Sequence, residues 1–165
     1  MRIKTIRHSL SHILAAAVQE LYPGAKFGIG PAIENGFYYD LSAEALAKAD
    51  LPRIEKRMKE LIKQNISFKK RTVSKIEAKK LFSAQGGSAS GGKGQPYKLE
   101  LLGLAEQPVS IYESGKFVDL CKGPHVKSTL QLHSGQAKEI IDGFKLTKVA
   151  GAYWRSDEKI GRAHV

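Results

Sequence analysis

Apolar residues recur every three to four positions from Thr5 to Leu21, at Leu10, Ile13, Leu14, Ala17, Val18 and Leu21, and Tyr22-Pro23-Gly24 ends the run. That spacing predicts a first helix. The period then changes. In AKFGIGPAIENGFYYDL, apolar and small residues alternate about Asn35-Gly36, a tight-turn dipeptide, which predicts a hairpin. Helical spacing returns in LPRIEKRMKELIKQ, where Ile54, Met58, Leu61 and Ile62 form an apolar stripe, Asp50 stands ready to cap and Pro52 falls in the first turn. A short strand is expected around ISFKKRTV, and Ser74 with Glu77 makes a capping box before a short helix, KIEAKKLF. From Ser83 to Gln95, SAQGGSASGGKGQ has no periodicity and reads as a flexible Gly/Ser-rich loop, without the Gly-Lys-Ser/Thr ending of a phosphate loop. The rest reads as strands: YKLELL, then PVSIYESGKFVDL turning near Ser114-Gly115, then FKLTKVAGAYW. The expected fold is α+β, in two layers, with helices packed on an antiparallel sheet.

Composition narrows the class. A chain of 165 residues suits one domain with a real core, and no apolar run nears the ~18 residues of a membrane span. No membrane association and no secretory signal are expected. The single cysteine, Cys121, excludes an internal disulfide and points to a reducing, cytoplasmic compartment. A net charge of +11 favours a polyanionic partner such as nucleic acid, although for KRMKELIKQ or SFKKR taken singly a solvated face is the commoner explanation.

Four side chains carry candidate chemistry. His8 and His12 lie one helical turn apart, and Cys121 and His125 stand in DLCKGPHV, where Gly123-Pro124 disfavours helix and implies a loop at a strand end. Three imidazoles and a thiolate would form a sound zinc set, yet lone histidines and cysteines are usually packing residues, and spacing alone leaves both readings open. HSLSH lacks the glutamate that zinc proteases place beside their first histidine. His133 and His164 have no comparable pattern and read as surface residues.

RHSLSHILAAAV, GIGPAIENGFYYDL, FVDLCKGPHV and FKLTKVAGAYWR, in that order, resemble the editing domain of threonyl-tRNA synthetases, the second of their N-terminal domains. That domain is shared more distantly with alanyl-tRNA synthetases and free-standing relatives. The resemblance implies an α-β-β-α-β-β arrangement and hydrolytic proofreading: removal of serine from mischarged tRNA(Thr) by water attack on the ester. It implies that His8, His12, Lys98, Cys121 and His125 are the catalytic set, with Tyr39 and Asp119 binding substrate. His8 and Lys98 would orient water and the terminal adenosine, Asp119 would hold the substrate amine, and His12, Cys121 and His125 would shape the pocket. Editing would need no cofactor, with zinc on His8, His12, Cys121 and His125 as the alternative. The implied partners are the 3′ end of tRNA(Thr) and the rest of a homodimeric synthetase, whose core, absent here, would use ATP and zinc. A free-standing trans-editing hydrolase and a non-catalytic RNA-binding module of the same fold are the competing readings. The Gly/Ser-rich loop is unusual beside the resemblance, and it immediately precedes Lys98. Residues 1–158 are expected to form the editing domain. KIGRAHV departs from the resemblance, suits neither helix nor strand, and matches what one reading frame of a short-read sequencing adapter encodes, so 159–165 are expected to be a non-native tail.

Overall fold

In the computed structural model the first helix begins two residues before Thr5 and runs Ile3–Leu21 (α1). The structure describes residues 3–42, 50–85, 94–133, 144–146, 148–153 and 159–164. From Ser9 to Val18 every residue of α1 is buried. A helix enclosed on all sides is a central element rather than a surface one, so its polar members must find partners inside the protein.

The predicted hairpin forms between Ala32–Ile33 (β1) and Gly36–Ser42 (β2), with Ile33 opposite Gly36, so the turn is Glu34-Asn35, one residue earlier than expected. Leu51–Ile62 (α2) buries its predicted stripe, and the Asp50 carboxylate accepts from the Arg53 amide at 3.1 Å. Phe68–Val73 (β3) leads to Lys75–Ala84 (α3), capped by the Ser74 hydroxyl, which accepts from the Glu77 amide at 3.2 Å. The Glu77 carboxylate accepts from Arg71 Nη2 at 2.6 Å.

YKLELL is helical, not extended: Pro96–Leu104 form α4, with Pro96 in the first turn. Proline's fixed φ suits that position, and the Leu, Lys and Glu residues that follow are good helix formers. The loop expected over 83–95 is shorter than its composition suggested. Ser83 and Ala84 complete α3, residues 86–93 lie outside the described residues, and Gln95 is buried. Its side chain accepts from the Phe27 amide at 2.9 Å and donates to the Ala25 carbonyl at 3.2 Å, satisfying backbone that no ladder pairs.

Val109–Ser114 (β4) and Phe117–Leu120 (β5) make the second predicted hairpin, followed by a 3₁₀ turn at Thr129–Leu132, Lys148–Tyr153 (β6) and Lys159–His164 (β7). Two antiparallel sheets replace the single one expected, ordered β1-β2-β7-β6 and β3-β4-β5. The 159–164 stretch, read as unsuited to a strand, pairs with both β2 and β6, because backbone pairing accepts any extended run whose neighbours offer free ladder groups. The main core gathers on α1, and a second cluster, centred on Phe82, Leu102 and Ile111, lies between β3-β4-β5 and helices α3 and α4.

Candidate functional site

Three elements bring the candidate residues together. α1 stacks His8 and His12 on one face, as their spacing predicts. Along β5, Phe117 and Asp119 are buried while Val118 and Leu120 pack against the second cluster, so strand alternation turns Asp119, and then Cys121, toward α1. The loop beyond β5 bends at Gly123, whose φ of +79° favours glycine and where an added Cβ would stand 2.5 Å from Tyr112 Oη. That bend returns His125 to the helix.

One ring nitrogen from each of His8, His12 and His125, together with the Cys121 sulfur, lie within 4.8 Å of one another. Each imidazole commits its other nitrogen outward. His8 Nδ1 donates to the Pro124 carbonyl at 3.2 Å, and His12 Nε2 meets Asp119 Oδ2 at 3.0 Å. His125 Nδ1 lies 3.2 Å from Ser9 Oγ. Turned inward, His8 Nε2 is 3.5 Å and His125 Nε2 is 3.3 Å from Cys121 Sγ, which also accepts from the Gly123 amide at 3.2 Å. His12 Nδ1 is buried without a partner. A carbonyl only accepts, so His8 carries its proton on Nδ1 and presents a bare lone pair at Nε2.

Burial first, and the neighbouring His12 second, hold the His8 imidazole down at about 4. Burial, then His12 and His8, depress His125 far below the usual histidine range. The Cys121 thiol is pushed up to about 12, by burial and then by Asp119. At neutral pH the bare groups are therefore uncharged rings beside a protonated thiol. The His8 Nε2 lone pair and the unpartnered His12 Nδ1, whose ring turns Nε2 to the Asp119 carboxylate, face a single S–H, so the set holds more acceptors than donors.

Beneath this half-open layer lies a closed one. Tyr39, Lys98 and Asp119 are each no more than 3% exposed. Lys98 donates to Tyr39 Oη at 2.6 Å and to Asp119 Oδ1, and Tyr39 donates to Asp119 Oδ2, also at 2.6 Å. Burial alone would raise the Asp119 carboxyl, but Lys98 and then His12 reverse this and hold it well below the usual carboxylate range. Tyr39 is driven up, by burial and then by Asp119. Gly30 makes room for the tyrosine: a Cβ there would stand 2.1 Å from its ring. Helix α4 carries Lys98 into this cluster.

All seven residues singled out in the sequence thus meet in one place, in two layers joined by the His12–Asp119 contact. His133 is exposed, with Nε2 3.1 Å from the Ile62 carbonyl, and its side chain stays apart from the cluster. The side chain of His164 lies outside the described residues. Sequence reasoning missed Ser9, which bonds His125, and Phe68, whose ring stacks on His125 at 5.3 Å between centroids. Ser9 stood in the HSLSH motif, whereas nothing in the sequence marked Phe68.

Residues 109–161 match the family described as the threonyl and alanyl tRNA synthetase second additional domain. Over 159 residues the chain is 47% identical to a threonine–tRNA ligase of Dehalococcoides mccartyi, covering 95% of this chain and 24% of that protein. Similar proteins include the threonine–tRNA ligases of Pelobacter propionicus, 48% identical over 95% of this chain and 22% of theirs, and Thermotoga neapolitana, 48% identical over 93% and 22%. The chain spans about a quarter of the length of these relatives.

Proposed function

On the premise that this chain is a stretch homologous to threonine–tRNA ligase, carrying the additional domain of the threonyl and alanyl enzymes, we propose that it is a proofreading hydrolase domain that removes serine from mischarged tRNA(Thr). A synthetic pocket separates threonine from serine by one methyl group, worth only ~1–3 kcal/mol, so a second, hydrolytic sieve has a clear purpose. The observation that carries this reading is the excess of acceptors at the His8, His12, Cys121 and His125 cluster. A water molecule brings the two donors that such a place lacks.

In this reading the ester carbonyl lies against that water. His8 Nε2 accepts one of its protons, and the water oxygen bonds to the carbonyl carbon. Collapse of the adduct breaks the bond to the ribose oxygen, which takes up the proton that His8 Nε2 accepted and leaves as a hydroxyl, while the amino acid departs with its free carboxyl group. With a pKa near 4 His8 is a weak base, so its contribution is orientation and partial proton acceptance. Asp119 supplies negative charge for the α-ammonium of the amino acid. Lys98 neutralises Asp119 until that ammonium exchanges with it, and then turns toward the ester and the terminal ribose. His12, Cys121 and His125 shape the pocket.

The same four donors fit zinc. The His12 nitrogen is orphaned, and the outward nitrogen of every ring is held by a carbonyl, a hydroxyl or a carboxylate, as metal-ligating histidines usually are. Zinc on His8, His12, Cys121 and His125 would supply a Lewis acid that acidifies water. The hydrolysis proposed here requires only the residues. The longer parent is read as a cytoplasmic homodimer that joins threonine to tRNA(Thr) using ATP, and the +11 charge suits binding of the RNA end. Among the described residues no helix is long and apolar enough to cross a membrane.

The test is deacylation of seryl- and threonyl-tRNA(Thr) by the chain, beside His8→Ala and Lys98→Ala. Faster loss of the seryl ester, lowered at least tenfold in each variant, is expected, as for loss of a positioned proton acceptor. Equal, slow loss of both esters, unchanged by either substitution, would sink the reading. Metal analysis of protein purified without added zinc, then chelation during the assay, separates the zinc alternative.

A further inference from the structure

Ser9 belongs to no role assigned above, yet it is fully buried at the junction of α1 and the Cys121 loop. Its hydroxyl has a single proton, donated to the Thr5 carbonyl at 2.9 Å. A carbonyl has no proton to return, so that direction is fixed. What is left of Ser9 Oγ is acceptor capacity, and two groups face it. The Val126 amide donates to it at 3.0 Å, and His125 Nδ1 lies 3.2 Å away. With the proton spent on Thr5, a bond to His125 exists only if Nδ1 carries the hydrogen. His125 Nε2 is then a bare lone pair, 3.3 Å from Cys121 Sγ.

We propose that Ser9 is a positioning residue that fixes the tautomer of His125, holding the proton on Nδ1 so that the Nε2 lone pair points into the histidine–cysteine cluster. The same hydroxyl binds the amide of the next residue, Val126, so one atom sets both the path of the loop and the proton of the ring it carries. Phe68, stacked on the ring, and Tyr112, edge-on at 4.5 Å between centroids, hold its plane but offer Nδ1 no acceptor of comparable strength. Without the Ser9 hydroxyl, the neutral ring gains more by moving its proton to Nε2, where Cys121 Sγ can accept it. The cluster would then lose an acceptor. This inference stands on hydrogen-bond geometry and is independent of the hydrolase reading.

The experiment is long-range ¹H–¹⁵N correlation on the labelled, metal-free chain at pH 7, which distinguishes protonated from bare ring nitrogens. Wild type is expected to show His125 protonated at Nδ1. In Ser9→Ala the ratio should move about tenfold toward the Nε2-protonated form, as for loss of one buried hydrogen bond. Ser9→Thr, which keeps a hydroxyl, should retain the wild-type signature. A wild-type ring protonated at Nε2 would overturn the proposal whether or not the alanine variant folds. So would a folded Ser9→Ala protein that keeps the proton on Nδ1, since Ser9 would then be structural only. Deacylation rates play no part in the readout, so failure of the hydrolase reading leaves this result interpretable.

Discussion

Replacing Asp119 by asparagine keeps the shape of the side chain and removes the charge on which the closed layer depends. The Lys98 ammonium, 1% exposed, would then face a neutral amide and the Tyr39 hydroxyl, and His12 would lose its carboxylate. Breaking a buried pair from one side costs ~3–5 kcal/mol, because it strands the other charge. Lys98→Met strands Asp119 in turn and should cost as much. The double variant removes both charges at once, leaving neither to desolvate. Its loss should fall short of the sum by about 2–3 kcal/mol, a coupling at the upper end of the range for contacting residues. Against a total stability of roughly 5–15 kcal/mol, either single change should be plain in a urea titration followed by circular dichroism. The Asp119 carboxyl is depressed in the folded protein, so its contribution is fully present above the unfolded value near 3.8 and fades as pH falls below it. The gap between wild type and Asp119→Asn should therefore narrow below about pH 4. Single costs that add to within ~0.5 kcal/mol, with no recovery in the double variant, would refute the charge-pair account.

The histidines set a second pH dependence. His8 and His125 are buried as neutral rings with lowered pKa values, so the stability they allow is present above pH 6.5 and is lost as pH falls from there toward the folded value, about 4 for His8. Urea midpoints should drop between pH 7 and 5, and His125→Gln should flatten that slope; a pH-independent midpoint over this interval would contradict the burial described. At Gly123, an alanine must adopt a φ of +79° and crowd Tyr112, so Gly123→Ala should cost about 1–3 kcal/mol and lower the melting temperature by several degrees. A variant as stable as wild type would mean that the loop takes another path.

Local signals in the chain were read well where a few adjacent residues decide the outcome. Asp50 before Leu51-Pro52, the 54-58-61-62 stripe, and Ser74 before its helix are short-range chemistry, and each stands where its pattern implies. YKLELL misled because Leu99 and Leu101 straddle Glu100 and imitate strand alternation, whereas the start signal at Pro96 was the better guide. The separation into two sheets was not legible, since strand partners depend on contacts far along the chain. For the site, helical spacing placed His8 beside His12, and Gly123-Pro124 placed Cys121 and His125 in a loop. That the two pairs meet came from the resemblance and not from any spacing. The burial of Lys98 was invisible in sequence, because the groups that make it tolerable, Asp119 and Tyr39, stand 21 and 59 residues away.

The alternation along β5 links function to accurate strand pairing. Asp119 faces the same side as its cross-strand neighbour Tyr112, while Leu120 faces with Ile111 into the apolar cluster behind the sheet. Adding or removing one residue at the Gly115-Lys116 turn would swap these faces, sending Asp119 and Cys121 into hydrocarbon and Val118 and Leu120 toward the histidines. Adding or removing two would restore the sides. The parity of that turn's length is therefore a constraint on this protein, imposed from the far end of the strand, and an insertion series there should alternate between tolerated and ruinous.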